Sequence, residues 1–540
     1  MTRSLYEKTT SLDAALPLIS GVLMTLSLPR AEISGLAFIA LVPLLYTIWR
    51  PQRKLSPFVC GLITGATLYL GTLYWLTLTM ENYGGVPRWL SLLILFLFAL
   101  YLAVYTGLFS WLVVALKWFP MPLFLTAPFL WVTLEYGRGH LLTGFPWALL
   151  GYSQYRNLPL IQVSDMTGVY GVSFIVVLVN TALFESLYTL SHWRRARTPF
   201  PPYRLTFPLL AAIFCLASAL GYGAWRMDQL RAMEPQRFLQ VGVVQGNIEQ
   251  NHKWDPLYRD KIIATHTRLT REIALEKPDV IIWPEASVPF YFMAEQNYQS
   301  QLLTLIDDMG INLLFGSPDL RVKDEKQNFY NSVFLVSPGA VLKGSYDKIH
   351  LVPFGEYIPL RRALFFLNPI IEQIGDMTPG DAVTLMELDQ AVLGTPICYE
   401  IVLPHLVRRF VSQGADVIAT LTNDNWFGRS SAPYQHFSMA VFRAVENRVP
   451  VVRSANSGIS GLIAPDGRIT KETELFTEDA FSERLPLLNR PHPIYTRFGD
   501  LFAWGCIAVT AATLIVHYVL LKGGRGASRQ GGSKDRGRRA

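Results

Sequence analysis

The sequence predicts an α-helical membrane bundle of about eight spans joined to an α/β layered domain that precedes the last span. Three observations point there. Of 540 residues, 51% are hydrophobic and 16% charged, against roughly 25% charged in soluble domains. The charge deficit lies before Met227 and after Gly499. Between them, Glu234 to Leu487 has ordinary globular composition, and its short β-branched runs alternate with helical periodicity.

A membrane helix needs about 20 mostly apolar residues. The candidate runs are Ala14–Leu28, Ser34–Trp49, Phe58–Met80, Trp89–Leu116, Met121–Leu134, Gly168–Leu190, Leu205–Trp225 and Leu501–Leu521. Met121–Leu134 is short and contains Pro128, and Leu141–Tyr152 reads as a separate re-entrant or interfacial piece. Basic residues set the orientation. Arg3 and Lys8 precede the first run, Arg50, Arg53 and Lys54 follow the second, Lys117 the fourth, and Arg194, Arg195, Arg197 and Arg204 the sixth. Those loops share one side, the cytoplasmic one. The expected divisions are 1–225, seven spans; 226–498, the α/β domain on the opposite face; 499–521, the last span; and 522–540, a basic cytoplasmic tail carrying most of the net charge of +7. That tail reads as an irregular positive-inside anchor, with no nucleic-acid partner. Charges fall at run ends, Glu185 excepted, which speaks against a transporter.

In the α/β domain, strands are expected at Phe238–Gln245, Asp279–Trp283, Asn312–Phe315, Ser332–Val336, Val392–Ile397, Val417–Thr422, Val451–Arg453 and Gly461–Ala464. Helices are expected at Lys261–Glu276, Leu406–Ser412 and Tyr434–Asn447. There is no GxGxxG fingerprint, P-loop, CxxC pair or zinc-type cluster.

Polar residues that follow apolar strands directly are the candidates for chemistry. Of four cysteines, Cys60, Cys215 and Cys506 lie inside apolar runs, and only Cys398 lies in the α/β domain, after Leu393–Ile397. An approaching helix N-terminus is expected to favour its thiolate. Glu285 follows Trp283-Pro284, and Lys348 lies in Tyr346-Asp347-Lys348-Ile349-His350. A carboxylate, an ammonium and a thiol suffice for acyl transfer as base, oxyanion partner and nucleophile. Each has a plainer alternative: a cap, a surface ion pair, a small core residue.

Trp283-Pro284-Glu285, the Lys348 segment and Cys398-Tyr399-Glu400 resemble the Glu-Lys-Cys signature of the nitrilase (carbon–nitrogen hydrolase) superfamily. Joined to the predicted spans, they resemble the apolipoprotein N-acyltransferase family. Similar wording recurs at Val244–Ile248, Lys253-Trp254, His350–Glu356, Leu142–Trp147, Thr422–Gly428 and Gln435–Phe437. The resemblance implies an α-β-β-α nitrilase-like sandwich on the periplasmic side of a bacterial inner membrane. It implies a phospholipid acyl donor, a diacylglyceryl-apolipoprotein acceptor, contact with membrane lipids, and no cofactor. It assigns Glu285, Lys348 and Cys398 to catalysis. Glu356 is expected to position the lysine and the base, Glu400 to brace the Cys398 loop, and Tyr399 to contribute its backbone N–H. Trp254 and Tyr399 are candidate walls for an acyl chain. The apolar stretch Arg361–Met377 is expected to be an arm gating lipid entry. A membrane-anchored amidase acting on a small amide is the alternative that uses the same triad.

Overall fold

The computed structural model describes residues 2–196, 202–323, 325–357, 377–489 and 491–534. The expected arm lies outside the described residues, Met377 excepted.

Helical elements occupy every apolar run but differ in length and straightness. Among the described residues, four helices are long and apolar enough to cross a membrane: Arg88–Trp118, Val169–Trp193, Pro202–Arg231 and Leu501–Lys522. A fifth crossing results if Pro57–Leu73 and Trp75–Asn82, bent by 50°, are taken as one span. The expected count of eight is not reached on these criteria. Leu12–Ser27 and Ser34–Trp49 are shorter, and Leu123–His140 carries Pro128, Glu135 and Arg138. The bend has a tertiary cause. Tyr74 Oη accepts from Ser431 N at 3.1 Å, Thr79 Oγ1 donates to Trp426 O at 2.9 Å, and Tyr83 Oη donates to Asn425 O at 3.2 Å. The second half-helix is thus turned toward the α/β domain. Residues 522–534 of the tail, expected to be irregular, continue helix Leu501–Lys534, with no proline to stop it.

Among the described residues, the α/β domain holds twelve strands in two six-stranded sheets. They are β1 (Arg237–Gln245), β2 (Val280–Ile282), β3 (Leu313–Lys323), β4 (Lys326–Ser337), β5 (Val341–Asp347), β6 (Leu385–Glu387), β7 (Val392–Gly394), β8 (Val417–Thr422), β9 (Val451–Ala455), β10 (Gly461–Ile463), β11 (Ile469–Glu472) and β12 (Asp479–Leu487). Their orders are β12-β1-β2-β3-β4-β5 and β11-β10-β9-β8-β7-β6. β1, β2 and β3 pair in parallel, as do β7, β8 and β9, and antiparallel strands flank both sets.

Side chains alternate across a strand, and the core follows that period. Val280, Ile282 and Leu314 join Leu393 and Val417 of the facing sheet in one cluster. Ile281, Leu313 and Phe315 point the other way, onto Leu269 and Ile273 of helix Arg259–Ala274 and Leu302 and Ile306 of helix Gln296–Met309. Helices Pro404–Ser412 and Ala432–Asn447 cover the second sheet. Every residue of Ala432–Asn447 is buried except Tyr434, because the membrane half packs on its far side. Four layers of α-β-β-α result, set directly on the helical bundle.

That junction is polar as well as packed. Arg448 donates to Asp165 Oδ2 at 2.8 Å, with both side chains buried, and Arg226 reaches the same oxygen at 3.0 Å. Glu446 accepts from Val169 N at 3.0 Å, and Gln435 accepts from Trp147 Nε1 at 2.7 Å.

Candidate active site

Glu285 lies just beyond β2, Lys348 follows β5 directly, and Cys398 opens the short 3₁₀ turn Cys398–Val402 beyond β7. The folded chain brings the three together. Lys348 Nζ lies 2.8 Å from Glu356 Oε1 and 3.7 Å from Glu285 Oε1. Asn331 Nδ2 on β4 donates to both carboxylates, at 2.8 Å to Glu285 and 2.9 Å to Glu356. Burial opposes the charge on Lys348, but Glu356 and then Glu285 hold its pKa well above the usual value. Asp347, the sequence neighbour that the surface-pair alternative would give it, binds Arg321 instead.

A second ammonium lies close by. Lys253 is 3% exposed and donates to the Glu285 backbone carbonyl at 2.9 Å. Burial pushes its pKa down to about 8, with Glu285 and Cys398 opposing. On the other side of Glu285, β3 approaches so closely that a Cβ on Gly316 would meet Ala286 N at 2.5 Å and Glu285 Cα at 2.8 Å. Only glycine fits that crossing.

Cys398 adopts φ +51°, a left-handed conformation costly to a residue with a Cβ. Its surroundings enforce it. Glu400, fully buried, accepts from Ile397 N through Oε2, and from Ile349 N, His350 N and Tyr346 Oη through Oε1, all within 2.8–3.0 Å. The Lys348 and Cys398 loops therefore share one carboxylate. Burial raises that carboxyl to about 7 against these hydrogen bonds. His436 Nε2 lies 3.2 Å from the Cys398 carbonyl, and its Nδ1 is 3.0 Å from Asp424 Oδ1. Arg453 Nη2 donates to Asp424 Oδ2 at 2.6 Å.

The expected thiolate is not the resting state. Cys398 opens only a short 3₁₀ turn, and the first α-helix after it begins at Pro404, so the expected α-helix N-terminus does not act on the sulfur. Burial, with Glu285 adding to it, pushes the thiol up to about 12 despite Lys348. The thiol is therefore held protonated near neutral pH, and attack requires a base.

The membrane half contributes a wall. Trp147 is 1% exposed and stacks on Tyr399, with centroids 6.3 Å apart and planes at 11°. Trp75 and Phe427 close on the same indole at 5.2 and 6.3 Å. Trp254 is half exposed on the loop after β1, and the His350 ring stacks on Tyr399 at 5.9 Å. Glu185, the charge within an apolar run, accepts from Leu123 N at 2.7 Å. Sequence reasoning gave no role to Lys253, Asn331, Thr422, Asp424, His436 or Arg453. All but Asn331 and Arg453 lay in the family-like wording, but no local pattern sets them apart.

The layered sheets define the class: residues 240–487 match the family described as carbon-nitrogen hydrolase, and the domain is nitrilase-like. Residues 20–182 match the family described as apolipoprotein N-acyltransferase N-terminal domain. An apolipoprotein N-acyltransferase of Geobacter metallireducens is 41% identical over 92% of this chain and 94% of its own. One from Pasteurella multocida is 30% identical over 90% and 92%. Among solved structures, the carbon-nitrogen hydrolase of Helicobacter pylori G27 is 15% identical with a TM-score of 0.36, covering 46% of this chain and 89% of its own. The chain belongs to the apolipoprotein N-acyltransferase family, and it is an acyltransferase with several apolar helices.

Proposed function

We infer that the enzyme moves a fatty acyl chain from a membrane phospholipid, through a thioester on Cys398, to the N-terminal amine of a diacylglyceryl-cysteine lipoprotein. The observation carrying this is Trp147, a residue of the helical half stacked on Tyr399 beside the nucleophile. A reaction centre walled by the helical bundle suits a lipid donor better than a small soluble amide.

Glu285 takes the thiol proton as Sγ attacks the ester carbonyl, and returns it to the departing lysophospholipid alkoxide. Lys348, with the Tyr399 backbone N–H, receives the oxyanion; such a donor contributes about 10²–10³ in rate. Glu356 fixes the ammonium, and Glu400 fixes the loop beneath the nucleophile. In the second half-reaction the lipoprotein amine attacks the thioester and Glu285 accepts its proton. The α/β domain faces the periplasm. Both chain ends face the cytoplasm, which needs an even number of crossings; eight result if the shorter helices and the bent pair span as well. Trp254 is a wall for the acyl chain.

The test is incubation with an acyl-labelled phospholipid and a diacylglyceryl lipopeptide. Label should appear first on Cys398, and on none of Cys60, Cys215 or Cys506, and then on the lipopeptide amine. Cys398→Ala should give neither product. Release of ammonia from small amides with no acyl-enzyme would overturn the reading in favour of an amidase.

A further inference from the structure

Thr422 closes β8, and its hydroxyl oxygen stands at a fork, 3.2 Å from Cys398 Sγ and 3.2 Å from Asp424 Oδ1. A hydroxyl carries one proton and can serve only one acceptor at a time. Among the described residues, Thr422 supplies the one hydrogen-bonding group within reach of the sulfur.

Asp424 is 1% exposed, and Arg453 and His436 hold its carboxyl well below the usual carboxylate range despite burial. Arg453 already donates to its Oδ2 at 2.6 Å. The loop behind is tight as well: a Cβ on Gly458 would lie 2.2 Å from that oxygen. With Oδ2 taken by Arg453, Oδ1 is left to accept the Thr422 proton in the resting enzyme, which keeps the hydroxyl oxygen beside Sγ. We propose that Thr422 is a catalytic hydrogen-bond donor to Cys398, its proton turning from Asp424 to Sγ whenever the sulfur carries negative charge, with Asp424 as the positioning residue.

Resting on the acyl-transfer reading, the inference adds a group at the leaving sulfur. In acylation, Glu285 removes the S–H proton, Sγ bonds to the carbonyl carbon, and the ester C–O bond breaks toward the glyceryl oxygen. In transfer, the amine nitrogen bonds to the thioester carbon. The C–S bond then breaks with its electron pair going to Sγ, and the amine proton passes to Glu285. Thr422 gives up no proton. It donates a hydrogen bond to Sγ before attack and after expulsion, when the sulfur is anionic.

The charged groups around the sulfur explain why an uncharged donor matters. Glu285 and Asp424 both disfavour a thiolate, and Lys348 favours it while remaining bound to Glu356. Lys253 donates to the Glu285 carbonyl, and burial with Arg453 pushes the His436 pKa down.

The experiment compares Thr422→Val, Thr422→Ala and Thr422→Ser in the full-length enzyme. A small neutral alkylating reagent reads the thiolate at fixed pH, and quenched acyl-enzyme reads transfer to the lipopeptide amine. A hydrogen bond to a charged group corresponds to roughly tenfold or more. Thr422→Val should therefore alkylate about tenfold more slowly and accumulate acyl-enzyme, while Thr422→Ser stays within about threefold of the parent. If Thr422→Val fails to fold, Ala against Ser isolates the same hydroxyl, since both lack the methyl group. Equal alkylation rates with and without the hydroxyl would overturn the proposal. Because alkylation needs no lipid, slowed alkylation in a protein that forms no acyl-enzyme would uphold the hydrogen bond and remove the acyl-transfer reading instead.

Discussion

Cys398 keeps a left-handed backbone only because Glu400, His436 and the Ile397–Leu421 bridge hold its turn from three sides. With its thiol pushed up to about 12, proton removal and attack are coupled. Glu285→Gln should therefore slow alkylation and acyl transfer together. Lys348→Met should cost acyl transfer about 10²–10³ but spare more alkylation, since alkylation forms no oxyanion; comparing the two rates in each variant checks this. Intact acyl transfer in Lys348→Met would make the lysine a structural ion-pair residue. Lys253 gives a pH test. Its native pKa, about 8, lies below the ordinary 10.5, so the native state binds this proton more weakly than the unfolded chain. Stability should then rise between pH 8 and 10.5, by up to about 3 kcal/mol. Thermal unfolding of Lys253→Met in detergent should lack that rise, and parallel pH profiles would contradict the assignment.

Helix Ala432–Asn447 and the residue after it carry the catalytic domain onto the bundle. Arg448 and Asp165 are 0% and 2% exposed at that seam, where an unpaired charge has no water to turn to. Arg448→Met or Asp165→Asn should destabilise by about 3–5 kcal/mol, with part recovered in the double variant, as breaking a buried pair does. Detergent unfolding of the three variants tests this; additive losses would mean that the pair is not coupled. Strand elements were unequally legible. β8, VIATLT, is buried at every position and reads as a continuous apolar run. β12, DAFSERLPL, mixes buried Phe481 and Leu485 with Glu483 and Arg484, so only its pairing with β1 marks it as a strand. β5, β6 and β11 escaped for the same reason. They lie at or near sheet edges, where neighbours rather than residue type decide.

Across the whole molecule, the helical bundle supports the reaction centre through Trp147, Trp75 and the bent helix pair. The proposed topology places Arg237 and Lys534 on opposite sides of the membrane. Reporter fusions at the two positions should give opposite signals, and equal signals would require another number of crossings.

The sequence by itself determined the two-part architecture, because apolar run length and strand–helix alternation are local properties that composition displays directly. It also determined the candidate Glu285, Lys348 and Cys398, which sit beside runs readable as strands or in recognisable wording. Tertiary structure decided what surrounds them. Lys253, Asn331 and Thr422 come from β1's loop, β4 and β8, and their distances to Glu285 and Cys398 exist only once two sheets face each other. The same holds for the thiol's protonation, which burial sets against an expectation drawn from a helix that begins too late. Pairing, burial and charge are properties of neighbours, and a chain gains its neighbours only by folding.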